Sequence, residues 1–166
     1  MESSESSSEP RGFLVPVDLR FINDLIGHGV FSVGYIPKGT PLWIPALVSK
    51  IASDKVSAIL NNMSLDKANE YLRQGFVLAS DLQHFCVNLN DLGRFVNHSS
   101  DPNCGYADFS TVADASVALR DIQAEEEITC DYSGLGSPSW YKELCRKYNV
   151  IPTDEVVSKQ QHPGNL

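Results

Sequence analysis

The chain has 166 residues, 42% of them hydrophobic and 9% aromatic. That is enough apolar material for one packed domain and too much for a disordered polymer. A net charge of −8 opposes sequence-independent binding to a phosphate backbone and suits a basic peptide partner.

Residues 1–12 are rich in Ser and Glu and read as a disordered tail. The opening "MESSESSSEPRG" is acidic and polar, unlike a signal peptide. No apolar run approaches the roughly 18 residues of a membrane span. The expectation is an intracellular protein, nuclear or cytoplasmic, with reduced thiols.

From Phe13 to Val48, apolar runs such as "FLVPV" and "GHGVFSVGYIPKGTPLWIP" are broken by Gly and Pro, which predicts short strands. Over 53–74 the period changes. Val56, Ile59, Leu60 and Met63, then Leu65, Ala68 and Leu72, fall at helical spacing, and Ser64 can cap, so two short helices are predicted. "FVLAS" and "HFCVNL" return to strand character, and "NCGYADF" with "TVADASVALRDI" can form the arms of a hairpin. Ser137-Pro138 opens a last helix, "SPSWYKELCRKY", with proline suited to its first position. From Pro152 the chain is polar and reads as a flexible tail, 152–166. The fold class is mostly β with short helices: a domain over 13–133 with a helical insert at 53–74, then a C-terminal helix within 134–151.

The four cysteines (Cys86, Cys104, Cys130, Cys145) and the four histidines (His28, His84, His98, His162) lack the close pairing of metal ligands, so no metal site is expected.

Three separated stretches carry chemistry-bearing residues: "GHGVFS" at 27–32, read as a Gly-x-Gly turn between strands; "RFVNHSSDPNC" at 94–104; and "ALRDIQAEEEITCDY" at 118–132. In this order they resemble the SET-domain lysine methyltransferases, which carry GxG, then RFxNHSxxPN, then ALRDIxxGEExxxDY. The small size and the tryptophan after Tyr132 are most similar to the compact viral members that methylate histone H3. The resemblance implies small twisted β-sheets around a pseudoknot, in which the segment ending at Tyr132 threads beneath the loop holding Asn97, His98 and Ser99. It also implies S-adenosylmethionine as cofactor and S-adenosylhomocysteine as product. Gly27, His28, Gly29, Val30, Arg94, Phe95, Asn97, His98, Tyr132 and Trp140 would bind it. Gly27 and Gly29 would let the backbone approach its methionine end, and His28 would contribute mainly backbone. Arg94 would hold a carboxylate, Asp131's or the cofactor's, or form a structural salt bridge.

The chemistry sets its own demands. A lysine amine has a pKa of about 10.4, so it must lose a proton before it can attack a methyl group. An apolar channel favours the neutral amine by desolvation. Repulsion from a sulfonium at about 4 Å, at an effective dielectric near 20, adds roughly 4 kcal/mol in the same direction. What remains is positioning, and the hydroxyl of Tyr132 is the catalytic candidate. Cys130, two residues earlier, occupies the position that tunes product state in the family. A small thiol there leaves room for di- and trimethyl-lysine.

Two departures from the family pattern stand out. The position of the cysteine that follows NHS in many members is Ser100, and only Cys145 follows Tyr132, so a zinc-bound lid is not expected. Trp140 and Tyr141 on the last helix are the candidates to cover the cofactor and wall the lysine channel. The family's ExYxG-like tyrosine is also missing from "WIPALVSK". Trp43 or Tyr106 is expected in its place, or else a more open pocket. The resulting reading is a protein-lysine N-methyltransferase acting on a histone tail. The alternatives are a non-histone protein substrate and an inactive module that binds a peptide or partner. The expected partner is a basic peptide. No direct nucleic acid or membrane partner is expected, and a homodimer is allowed.

Overall fold

The structure, a computed structural model, describes residues 12–45, 48–106 and 115–161. The predicted disordered tail lies outside these residues, except for Gly12, which opens the first strand. The described elements are mostly β with four short helices, as the sequence predicts.

Three small sheets make the β framework. In the first, β1 (Gly12–Phe13), β4 (Pro41–Ile44), β10 (Ser116–Ala118) and β9 (Cys104–Gly105) lie in the order β1-β4-β10-β9. The predicted hairpin appears here: Val117 pairs with Gly105 and Ala118 with Cys104, while residues 107–114 between the arms lie outside the description. The second sheet joins β2 (Val17–Asn23), β3 (Gly27–Ser32), β11 (Glu127–Cys130) and β8 (Asn97–His98) in the order β2-β3-β11-β8. The third has β7 (Asp81–Val87) between β5 (Ser49–Ala52) and β6 (Phe76–Leu78).

The glycine stretch is not a turn, as predicted, but the start of β3. The turn comes earlier, where the Asn23 side chain accepts the backbone N–H groups of Leu25 and Ile26 at 3.0 and 2.8 Å. Such a side-chain turn leaves Gly27 to absorb a φ of +82° on re-entering the strand.

The insert holds α1 (Ser53–Asn61) and α2 (Leu65–Gln74), with Ser64 capping α2 through Lys67 N at 3.4 Å. Val56, Leu60, Ala68 and Leu72 are fully buried and pack with Val77, Phe85 and Tyr141 into one core. Each of the buried Val and Leu side chains contributes about 2 kcal/mol by leaving water. A second core gathers Val30, Leu42, Val96, Ala118, Ile122 and Ile128 between the first two sheets. The last predicted helix is α3 (Ser139–Lys147), with Pro138 at its N-cap rather than at its first helical position. The predicted loose tail is instead helical over α4 (Thr153–Gln161). Asp154 and Glu155 in its first turn and Lys159 in its last complement the helix dipole. Lys142 of α3 forms an ion pair with Asp154, and Asp154 N donates to Ser137 Oγ at 3.1 Å. No described helix is long and apolar enough to cross a membrane.

Glu125 holds a φ of +66° just before β11, with its N–H donating to Ser32 O at 2.8 Å. The family pattern has glycine here. A left-handed conformation costs a non-glycine residue about 1–2 kcal/mol, part of which a glycine returns as unfolded-chain entropy. The ion pair from Arg20 to Glu125 is exposed and worth little. Glu125→Gly is therefore expected to raise stability by about 0.5–1 kcal/mol in urea unfolding. A loss of stability would contradict this account of the turn.

Candidate active site

The crossing that brings the motifs together is the parallel pairing of β8 with β11, in which Thr129 lies opposite Asn97 and Cys130 opposite His98. Parallel neighbours need a long connection between them, and here β9 and β10 supply it before the chain returns as β11. Asn103 locks the return. Its Nδ2 donates to Glu127 O at 2.7 Å and to Glu126 Oε1 at 3.3 Å, and its Oδ1 accepts Thr129 N at 2.9 Å. The residue is 1% exposed, so its polar atoms are matched inside the fold rather than by bulk water.

His98 works in the same crossing. It is buried, and its Nδ1 accepts the backbone N–H of Tyr132 at 3.0 Å. Its ring stands 5.3 Å from the Tyr132 ring. Asn97, its neighbour, points the other way. The Asn97 Nδ2 donates to His28 O at 3.0 Å and Glu127 Oε1 at 2.8 Å. A Cβ on Gly29 would lie 2.5 Å from that carboxylate oxygen and 3.1 Å from the Asn97 amide. Glycine is therefore required at 29 for the carboxylate and the amide to meet across β3.

Beside this junction lies a cavity of about 280 Å³. Gly27, His28, Arg94, Phe95, Asn97 and Tyr132, all predicted site residues, line it. His28 and Phe95 make an aromatic wall with Phe21, their rings 5.8 and 5.6 Å from His28 to each. α2 contributes Asn69, Glu70, Arg73 and Gln74 on another side. A larger, more open trough of about 580 Å³ shares Glu70, Gln74 and Arg94 with it.

Tyr132 reaches the cavity with its hydroxyl donating to Val96 O. Burial pushes the phenol well above its ordinary pKa, with the neighbouring Cys130, Tyr141 and Glu127 adding to the effect. The group is thus a neutral phenol at any working pH. Its proton is committed to a carbonyl, and its oxygen lone pairs remain to meet an incoming N–H.

Several predicted site residues lie elsewhere. Val30 is fully buried in the second core. Trp140 donates its indole N–H to Leu82 O at 2.9 Å and packs on the first core, so it fixes α3 to β7 and does not line the cavity. Tyr141 is 2% exposed within that core. Tyr106 is 69% exposed at the end of a described segment. Trp43 is spent on structure: its Nε1 donates to both Asp91 oxygens, at 3.0 and 2.8 Å, and its ring would meet a Cβ on Gly93 at 2.2 Å. It clamps the 3-10 turn at Leu92–Phe95 that aims Arg94 and Phe95. Among the described residues, Arg94 holds no carboxylate. Its Nη1 donates to Leu89 O and to Asp91 O, and its guanidinium lies 4.6 Å from the Phe95 ring centre. Cys130 is half-buried against the second core. Among the described residues, no group of three metal-ligating side chains converges.

The sequence reading missed Asn103, Glu127, Phe21 and the α2 residues. The α2 residues form a polar face at 69, 70, 73 and 74, opposite the apolar stripe of Ala68 and Leu72, which in sequence is no different from a solvated helix face.

The sequence profile of the SET domain matches residues 27–133. The chain belongs to the SET-domain family. It is 32% identical over 133 residues to a fission-yeast (Schizosaccharomyces pombe) histone-lysine N-methyltransferase, H3 lysine-9 specific, covering 75% of this chain and 26% of that protein. It is 28% identical over 112 residues to putative histone-lysine N-methyltransferase 1 of Plasmodium falciparum, covering 64% of this chain and 2% of that one. The chain thus spans about a quarter or less of these relatives. Among solved structures, a chain of ctPRC2 in an autoinhibited conformation bound to S-adenosylmethionine superposes with a TM-score of 0.51 at 19% identity, covering 81% of this chain and 17% of that one. At that identity the likeness speaks for the fold.

Two outcomes test this architecture. Asn103→Ala removes three hydrogen bonds and strands Thr129 N–H and Glu127 C=O, so unfolding free energy should fall by about 3 kcal/mol. A loss below about 1 kcal/mol would show that the crossing does not depend on Asn103. The second concerns the buried thiol of Cys104, which burial pushes from 9.0 up to about 11. A folded pKa raised above the unfolded one stabilises fully below about pH 9, and this contribution is lost as pH rises towards 11. In that window Cys104 should steepen the fall in stability by about 1.4 kcal/mol per pH unit. Cys104→Ala should remove that slope, whatever its constant packing cost. An unchanged slope between pH 9 and 11 would refute it.

Proposed function

We propose that the chain is an S-adenosylmethionine-dependent protein-lysine N-methyltransferase acting on a histone tail. The observation that carries the proposal is the cavity at which the start of β3, Asn97 and the neutral hydroxyl of Tyr132 meet. Its residues fit the cofactor. Gly27, with no side chain, lets the Arg73 guanidinium lie beside the cavity, and Phe21, His28 and Phe95 offer an aromatic wall to a nucleobase. When bound, the cofactor supplies an electrophilic methyl group on a sulfonium.

The protein's part is binding and alignment. The Tyr132 oxygen, fixed by its bond to Val96 O, accepts from the substrate amine and sets the direction of its lone pair. The ring is held from behind by His98. Asn97 holds the β3 backbone at His28 against Glu127, which keeps the cavity floor from shifting. A histone tail suits the net charge of −8, and the two curated relatives are histone-lysine methyltransferases by name. The nucleus is the location that goes with such a substrate. The half-buried thiol of Cys130, pushed up to about 12 by burial, is a small neutral group. It leaves room for a methylated amine to turn, which supports products up to di- or trimethyl-lysine.

Incubation with labelled S-adenosylmethionine and separate histones, followed by mass spectrometry, tests the whole reading. Label is expected in one histone, on a lysine that progresses beyond one methyl group. Tyr132→Phe is expected to abolish most transfer while changing stability by no more than about 1–3 kcal/mol. Full turnover in that variant would remove Tyr132 from the chemistry. Cofactor binding without label in any protein substrate would leave a peptide-binding module instead.

A further inference from the structure

The α2 wall of the cavity carries opposite charges that do not neutralise each other. Glu70 and Arg73 are three residues apart, on one helix face, and both line the cavity. Glu70 accepts one bond, from Gln74 Nε2 at 3.1 Å. Arg73 has no ionic or hydrogen-bonding partner among the described residues. Its guanidinium rests on the start of β3: Nη1 would be 2.8 Å from a Cβ on Gly27. The other arginine of the cavity, Arg94, already gives its Nη1 to two backbone carbonyls. Arg73 is therefore the uncommitted cation of this wall.

An uncommitted cation and a carboxylate on one helix face, beside glycine backbone, match a ligand with both charges on one carbon. We propose that Arg73 and Glu70 bind the amino-acid end of the cofactor, Arg73 pairing with its α-carboxylate and Glu70 with its α-ammonium. This rests on the cofactor reading above. It assigns the charged end of the ligand to α2, part of the insert at 53–74, rather than to the motif arginine. Gly27 has a role here besides its φ: without a side chain it leaves the space that the guanidinium occupies. Both side chains are exposed in the described structure, so they are free to close on a ligand, and the charge-assisted bonds form as water leaves the cavity.

Calorimetric titration of the full chain separates the amino-acid end from the nucleoside. S-adenosylhomocysteine carries both, whereas 5′-deoxy-5′-methylthioadenosine keeps the nucleoside and sulfur but lacks the amino acid. Arg73→Gln is expected to weaken S-adenosylhomocysteine about tenfold or more and to leave methylthioadenosine unchanged. Glu70→Gln should weaken only the first ligand, and Arg73→Lys should recover part of the loss. Unchanged S-adenosylhomocysteine affinity in Arg73→Gln, or equal losses for both ligands, would overturn the assignment while leaving the cofactor reading intact. A parent protein that binds neither ligand would bring down the cofactor reading and this assignment with it.

Discussion

The side chain of Asn103 holds two backbone groups of β11, the Glu127 carbonyl and the Thr129 N–H, from inside the fold. Everything at the site depends on where those two residues sit. Thr129 and Cys130 pair with Asn97 and His98, which places the amide of Asn97 against Glu127 and the ring of His98 against the backbone of Tyr132. A parallel pair this short has few ladder bonds of its own, so a buried carboxamide with three partners carries much of the register. A shift by one residue would turn Cys130 and Thr129 to opposite faces and move Tyr132 off the cavity.

This explains why three weak stretches were legible as one site. Residues that meet across a chain crossing need particular shapes: glycine where a carboxylate must pass, an amide that can donate to both sides, an imidazole that accepts one backbone N–H. Such demands restrict residue type at several positions together, and the order of the stretches survives in the sequence. Strand and helix positions were legible for the ordinary reason that their periods follow burial. Val56, Leu60, Ala68 and Leu72 show this, since their spacing is that of the face they bury.

What was not legible follows from the same physics. The polar face of α2 looks like any solvated helix face, because sequence does not show that β3 lies alongside it. Trp140 was assigned to the cofactor by its type and its nearness to Tyr132. In the fold its indole N–H finds the Leu82 carbonyl, a contact 58 residues away in sequence. Trp43 similarly serves Asp91, 48 residues away. The polar stretch after Pro152 lacks a strong apolar stripe. Its helix is held from outside, by an ion pair to α3 and a serine hydroxyl, and neither is visible in local composition.

The motif residues thus divide into two kinds. Asn103 and His98 spend their polar atoms on the backbone of the returning strand and do not line the cavity. Asn97 and Tyr132 do both: each bonds a carbonyl of a neighbouring segment and each faces the cavity. For these two, the contacts that hold the fold and the surface of the cavity share one set of atoms, so losing the side chain alters both at once. Arg73 and Glu70 differ. They stand on a helix whose buried stripe is complete without them, and their charges are held by almost nothing in the protein itself. The fold does not depend on such residues, which makes the α2 wall the part of this cavity whose lining can change without loss to the crossing that builds it.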